Sequence, residues 1–417
     1  MNILFIADVC LEQPTSGAEQ VLYQQVKGLA NAGVKVWAIA RCHPSETRPS
    51  GKVPGVRVFG YRSAASSLPG FLLDLSRVVG GRLQAMLASR NIDAIVAHQP
   101  VFSLLHLCPV IRNRPLVYVF HSPWHEEYLL KNGTHRHRDS CLPVILRKQL
   151  ERHSVRRAAR VIVLSEYMRR RVLQTHGINP TRIRINPGGA DLRRFHCDFD
   201  RIQLKRRHRF PPNRIHLLTI RNLERRMGVD RLIECMTFLQ KTHPQLHLVI
   251  GGTGSQSRYL QEMIRRRGLA ENVRLAGFLP HETLPEYYCA ADFFIMPSQS
   301  LEGFGLVSAE SLACGTPVLG TPVGGTPEIL NSLNPDFVFR DNTPQAMADG
   351  IQRNIANYFY PKHAYRALRQ ECRRYAADRY SWNFHVDMLL ELLGRLAHSP
   401  NGLSRQSSAV SGDHRWS

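Results

Sequence analysis

At 417 residues with 43% apolar side chains, the chain is too long for one hydrophobic core and rich enough in apolar residues for two. A formal net charge of +22 excludes an acidic, solvating protein and suits partners of opposite sign, whether nucleic acid, anionic lipid or a phosphorylated substrate, unless the charge is simply solvated. Nine scattered cysteines without a Cys-x-x-Cys pair exclude a disulfide framework and a zinc ribbon and point to a reducing, cytoplasmic setting. The opening Met-Asn-Ile-Leu-Phe-Ile-Ala-Asp lacks the basic start and cleavage site of a signal peptide. No run reaches the roughly 18–20 apolar residues that span a bilayer.

Short Val/Ile/Leu runs alternating with helical stretches begin at once. Asn2–Ala7 reads as a strand, Ala18–Ala32 as a helix stopped at Gly33, and Val34–Ala40 as the next strand. Strands follow at Val56–Gly60, Ala94–Ala97 and Leu116–Phe120, with a helix over Leu68–Ser89. Val161–Leu164 is another strand, and Ser165 caps a helix that runs to Gly177. The turn-rich Asn186-Pro-Gly-Gly-Ala-Asp191 breaks the pattern, and Arg201–Arg214 is charged and contains proline.

The alternation then restarts. Strands are expected at Leu217–Ile220, Leu246–Ile250, Val273–Leu275, Phe293–Met296 and Pro317–Gly320. Helices are expected at Gly228–Leu239, Gln256–Gly268, Pro285–Ala290 and Gly305–Ala313, and Pro361–Leu396 reads as helical throughout. Two βαβ series joined at one turn predict an α/β protein of two doubly wound, Rossmann-like domains. Their expected bounds are 1–187 and 188–378, with a helix at 379–397 returning to the first domain and a disordered Ser/Gly-rich tail at 398–417.

Glu302-Gly-Phe-Gly-Leu-Val-Ser-Ala-Glu310 carries the most chemistry. Gly303, Phe304 and Gly305 lie where a buried strand gives way to a helix, so backbone can approach a ligand closely and free N–H groups can hold a phosphate. Glu310 falls about 7.5 Å along the helix from its start, too far from Glu302 for an acid–base couple at one bond. The spacing suits two grips on one elongated ligand. A solvated loop residue and a helix-surface carboxylate would give the same spacing.

The stretch from Leu246 to Leu330 resembles the donor-binding half of the family 4 glycosyltransferases. The resemblance rests on Leu-Val-Ile-Gly-Gly-Thr-Gly (248–254), Val273–Pro280 with Leu284–Asp292, Glu302–Glu310, Gly315-Thr-Pro-Val, and Gly324-Gly-Thr-Pro-Glu328. It implies a GT-B fold, two Rossmann-like domains facing each other across a cleft, and transfer of a sugar from a UDP- or GDP-sugar with retention at the anomeric carbon, with no metal and no cofactor. Carried over, Glu310 would accept from the donor ribose, the amides of Phe304, Gly305 and Leu306 would hold the distal phosphate, and Glu302 would face the transferred sugar. The N-terminal half resembles the family more loosely. Gly17, in Ser16-Gly-Ala-Glu19, stands where members carry a glycine loop, often with two glycines, and His121 matches a cleft-lining histidine.

One departure stands out. Members carry an arginine and a lysine for the diphosphate where this chain has Asn222 and Met227; Arg221, Arg225 and Arg226 flank them. A leaving diphosphate needs positive charge, so Arg226, with Arg221, is expected to supply it; a weakly active or non-catalytic sugar-nucleotide binder is the alternative. A zinc site from His121 and His125 is set aside because Pro123 interrupts a shared helix face and no His-Glu-x-x-His is formed, and His135 and His137 read as surface residues. A dinucleotide oxidoreductase would need Gly-x-Gly-x-x-Gly after a strand, which neither half has. No DNA- or RNA-binding signature accompanies the charge.

Finally, Lys148, Arg152 and Arg156 recur at four-residue spacing, with Leu146 and Leu150 beside them and Glu151 the single acid. Such a ridge can rest on the anionic inner face of a membrane, where a lipid-linked acceptor or polysaccharide precursor would lie. A solvated helix face is the competing reading.

Overall fold

A computed structural model describes residues 1–11, 16–41, 53–61, 70, 73, 81, 91–99, 114–131, 141–360 and 362–398. The expected helix Leu68–Ser89 and the expected tail lie outside these residues, apart from isolated positions. The chain divides into two compact units. One comprises Met1–Val163, Arg169–Asn186 and the chain from Val386; the other comprises Leu164–Met168 and Pro187–His385.

The first unit is built on β1 (Asn2–Cys10), β2 (Lys35–Arg41), β3 (Val56–Tyr61), β4 (Ala94–His98), β5 (Leu116–Val119), β6 (Arg160–Val163) and β7 (Ile183–Ile185). They form one seven-stranded sheet in the order β3-β2-β1-β4-β5-β6-β7, parallel throughout. Ile3, Leu4, Phe5, Ile95, Val96, Val117 and Val119 are buried to within 1% of full exclusion from solvent, as central parallel strands covered on both faces require. The edge strand β7 has only three residues, one of them the exposed Arg184, and so gave no apolar run to read.

Helix Gly17–Asn31 begins with a capping box in which Ser16 and Glu19 satisfy each other's backbone N–H. The helix Leu142–Arg157 is fixed by its only acid. Glu151 is fully buried; its carboxylate accepts from the Trp124 amide at 3.2 Å and lies 3.3 Å from His176 Nε2. That turns Lys148 and Arg156 to the outside.

The second unit holds β8 (Ile215–Ile220), β9 (Leu246–Gly251), β10 (Val273–Gly277), β11 (Phe293–Met296) and β12 (Val318–Gly320). Their order is β10-β9-β8-β11-β12, again parallel. In both sheets the winding reverses beside the first strand, between β1 and β4 and between β8 and β11. Open α/β sheets bind ligands outside the carboxyl ends of the strands at such a point.

Two expectations need correction. Arg201–Arg207 is a helix, not a charged connection; Asp200 caps it by accepting from the Ile202 and Gln203 amides. The stretch after Pro361 is two helices, Lys362–Arg379 and Trp382–Ala397. They part at Tyr380–Ser381 because the Pro187–Ala190 segment crosses there. The Ala190 amide donates to Tyr380 O at 2.8 Å, and a Cβ on Gly189 would stand 2.5 Å from the Ser381 carbonyl carbon.

Candidate functional site

β11 ends at Met296, and the chain turns through Pro297 and Ser298 to Glu302 before the helix Leu306–Ala313 opens after Gly305, whose φ is +88°. Three neighbours hold this loop. The Gly325 amide donates to Glu302 O at 2.9 Å, Arg226 Nη1 donates to Leu301 O at 3.1 Å, and Ser165 Oγ donates to Gly303 O at 2.5 Å. At Gly324 (φ +65°) any Cβ would sit 2.0 Å from Glu302 O. The Gly324-Gly325 pair is therefore what lets the two loops touch.

Glu302 is buried to 7% exposure. The Arg221 guanidinium donates to its Oε2, and Ser298 Oγ donates to the same oxygen at 2.7 Å. Burial alone would raise the carboxyl's pKa, but the Arg221 charge, the Ser298 and Arg221 hydrogen bonds and the Arg226 charge outweigh it and hold the pKa below the ordinary value. Glu302 is thus a carboxylate at neutral pH.

Arg221 is the first residue beyond β8 and is itself buried. It lies over the thioethers of Met227, at 2.7 Å, and Met296, at 3.2 Å. The glycine loop after β9 fixes its backbone: the Arg221 amide donates to Gly251 O at 3.0 Å, and a Cβ on Gly252 (φ +123°) would stand 1.8 Å from Arg221 O. Asn222 and Arg225 are exposed, Arg226 is half-buried, and Met227 is buried beneath Arg221. Of the two arginines expected to carry charge here, Arg221 meets the carboxylate and Arg226 braces the loop.

Glu310 lies in the helix that Gly305 opens and is buried to 6% exposure. Tyr288, on the helix Leu284–Ala290, donates to its Oε2 at 2.9 Å. Burial raises the Glu310 pKa to about 7, against the opposing pull of Tyr288 and the Arg194 charge. Sequence reading missed both partners; Tyr288 fell within a matched segment, but no spacing singled it out. Phe304 is buried, its ring 5.5 Å from that of Tyr380. The first amides of a helix have no intrahelical acceptor; those of Leu306 and Val307 are of that kind, whereas the Ser308 amide donates to Gly305 O at 2.8 Å. Ser308 Oγ, buried in the first turn, has no hydrogen-bond partner among the described residues.

In the first unit Gly17 is exposed at the start of its helix. His121 lies just beyond β5, with its Nε2 3.0 Å from His98 Nδ1; burial lowers its pKa to about 4, so the ring is neutral at physiological pH. His125 faces the other way, with Nδ1 3.9 Å from Glu151 Oε2. The two histidines therefore belong to separate networks.

Residues 15–194 match the family described as Glycosyltransferase Family 4, and residues 200–379 that described as Glycosyl transferases group 1. A D-inositol 3-phosphate glycosyltransferase of Thermomonospora curvata is 30% identical over 337 residues, covering 74% of this chain and 76% of that protein. A GDP-mannose-dependent alpha-(1-6)-phosphatidylinositol monomannoside mannosyltransferase of Mycolicibacterium smegmatis is 30% identical over 240 residues, which is 56% of this chain and only 61% of that relative's length. Among solved structures, sucrose-phosphate synthase from Thermosynechococcus elongatus superimposes with a TM-score of 0.78 at 21% identity, over 95% of this chain and 99% of that one. Anabaena HepE in complex with UDP-glucose gives 0.74 at 21% identity, over 95% and 100%. Glycine-held loops, a strand-to-helix Glu-x7-Glu and two parallel-sheet α/β domains of the GT-B type make this chain a member of the family 4 glycosyltransferases.

Proposed function

We propose that the chain transfers a hexosyl group from a UDP- or GDP-sugar to a hydroxyl acceptor with retention of anomeric configuration. The bond from the anomeric carbon to the diphosphate breaks, the acceptor oxygen bonds to the same face of that carbon, and the acceptor's proton passes to the leaving diphosphate. The observation that carries this reading is a pair of buried carboxylates on either side of a glycine-opened helix start, at the reversal point of the second sheet. Their environments differ as their tasks would. Glu302, kept ionised by Arg221, suits the hydroxyls and developing positive charge of a sugar. Glu310, titrating near neutrality beside Tyr288, suits ribose hydroxyls. The Arg221 charge supplies the electrostatic stabilisation a leaving diphosphate needs. A metal is not called for.

The outer surface supports a membrane-bound setting. On the helix Leu142–Arg157, Lys148 and Arg156 are exposed and Arg152 half-exposed. The apolar residues in the open are Leu142 at 76% and Ile145 at 42%, with Leu130 at 45% on the helix Trp124–Lys131, rather than the half-buried Leu146 and Leu150. Among the described residues no helix is long and apolar enough to cross a membrane. Basic side chains beside exposed leucine and isoleucine suit peripheral docking on anionic lipid, each cation near the headgroups adding about 1 kcal/mol. The acceptor would then be lipid-linked or a polysaccharide precursor.

Three experiments bear on this reading. UDP-glucose and GDP-mannose serve as probes of donor binding and hydrolysis. One of them should raise the melting temperature and be hydrolysed, and Arg221→Gln should slow that hydrolysis about 100-fold, a typical cost for losing a transition-state charge donor, with Arg226→Gln costing far less. Binding without turnover, or equal small losses in both variants, would favour a non-catalytic sugar-nucleotide binder.

The ribose contact has a pH signature. If the ionised form of Glu310 accepts from the ribose, affinity for UDP or GDP should rise with pH through about 7 and level off above it. Glu310→Gln should flatten that dependence and weaken binding by about 1–3 kcal/mol. A pH-independent affinity, or unimpaired binding by the variant, removes the ribose role.

Docking is read by co-sedimentation with phosphatidylcholine vesicles, with and without phosphatidylserine. The chain should pellet only with the anionic vesicles, release as salt rises, and stay in the supernatant when Lys148, Arg152 and Arg156 are all changed to Gln. Binding that persists in the triple variant contradicts the docking model and leaves the transferase reading intact.

A further inference from the structure

His121, half-buried, is the outer end of a chain of three side chains that runs into the core. His98, the last residue of β4, is fully excluded from solvent. Its Nδ1 is 3.0 Å from His121 Nε2, and its Nε2 is 3.0 Å from Oε1 of Gln25, which is also fully buried, on the helix Gly17–Asn31. The two imidazole rings lie 5.1 Å apart at 38°, so the contact is edge to edge through nitrogen rather than a stack.

The protons in this chain can be placed. An amide oxygen carries no proton, so the hydrogen between Gln25 and His98 belongs to His98 Nε2. A neutral imidazole has one N–H, and full burial disfavours the charged ring. His98 Nδ1 is then a bare acceptor, and the hydrogen between the rings belongs to His121 Nε2. His121, neutral in turn, is left with its lone pair on Nδ1.

We propose that Gln25 and His98 are positioning residues that hold His121 as the Nε2–H tautomer, so that it offers a bare Nδ1 to whatever it meets. The consequence is selectivity by hydrogen-bond polarity. A bare ring nitrogen accepts from a hydroxyl, which matches a sugar or polyol, and repels a phosphate oxygen or a carbonyl, which have no proton to give. This consequence rests on the reading of His121 as a sugar-facing residue; the tautomer does not. The element that fixes it is the Gly17–Asn31 helix, which brings Gln25 beneath the end of β4 from a distance of 73 residues in sequence.

The tautomer is read directly from two-bond proton–nitrogen correlation spectra of the full chain carrying 15N-labelled histidine, with His121 assigned by its loss in His121→Asn. Wild type should show His121 protonated at Nε2. His98→Leu removes the acceptor and should leave His121 a mixture of both forms, whereas His98→Asn, whose amide oxygen can take the place of Nδ1, should restore the single form. In hydrolysis of UDP-glucose or GDP-mannose, His98→Leu should lower kcat by about tenfold or more with the donor KM little changed, and His98→Asn should recover most of it, the pattern expected of an orienting partner. An Nδ1–H tautomer in wild type overturns the proposal even if the leucine variant fails to fold. Equal losses in the leucine and asparagine variants overturn it as well. The correct tautomer in a chain whose His121→Ala variant turns over normally upholds the relay and overturns only the sugar contact.

Discussion

Glu302 remains charged in a loop that excludes nearly all water, and much of the second unit is arranged to make that tolerable. A buried carboxylate without a partner is costly, and removing one member of such a pair typically destabilises a protein by about 3–5 kcal/mol. Here Arg221 and Ser298 converge on one carboxylate oxygen. For Arg221 to be there, its backbone must lie against the β9 loop, which Gly252 permits. For Glu302 to be there, its loop must lie against the turn after β12, which Gly324 and Gly325 permit. The glycine motifs of the second unit are therefore parts of one device that brings opposite charges from two strand ends together.

The same physics separates the groups by charge state. Glu302 and Glu310 are buried to nearly the same degree. The first has a guanidinium in contact and stays ionised; the second has a phenol in contact, with Arg194 acting only at longer range, and its pKa climbs to about 7. His121 is a third case, pushed by burial to about 4 and so a neutral hydrogen-bonding group rather than a cation. Burial with a guanidinium, burial with a phenol and burial of an imidazole thus give a fixed negative charge, a carboxyl poised near neutrality and a neutral ring.

Much of the architecture was legible because central parallel strands are continuous apolar runs, as in Leu246–Ile250 and Phe293–Met296. Elements that buried little escaped notice. β7 pairs through its backbone but carries Arg184 into solvent, and Arg201–Arg207 buries only Leu204. The break at Tyr380–Ser381 falls beside the expected start of a separate last helix at 379, but its cause, the crossing Pro187–Ala190 segment, is remote in sequence and left no local signal. In the site, the residues with a local motif stood out, including both ends of Glu-x7-Glu. Their partners did not: Tyr288, Arg194 and His98 reach the motif residues only through the fold. The charged loop after β8 was read as the place where positive charge must come from, yet which arginine turns inward depends on Met227 and Met296 packing beneath Arg221, a contact no spacing records. The basic ridge was likewise visible, while its outward direction is set by the burial of Glu151.

In the proposed function Glu302 addresses the sugar of a nucleotide-sugar and not its nucleotide. Calorimetric titration of wild type and Glu302→Gln with UDP and UDP-glucose, and with GDP and GDP-mannose, tests it most directly. The variant should bind the bare nucleotide as wild type does but lose the extra affinity that the sugar confers, by about 1–3 kcal/mol for a charged hydrogen bond. Equal weakening of nucleotide and nucleotide-sugar in a variant that still melts cooperatively would contradict it.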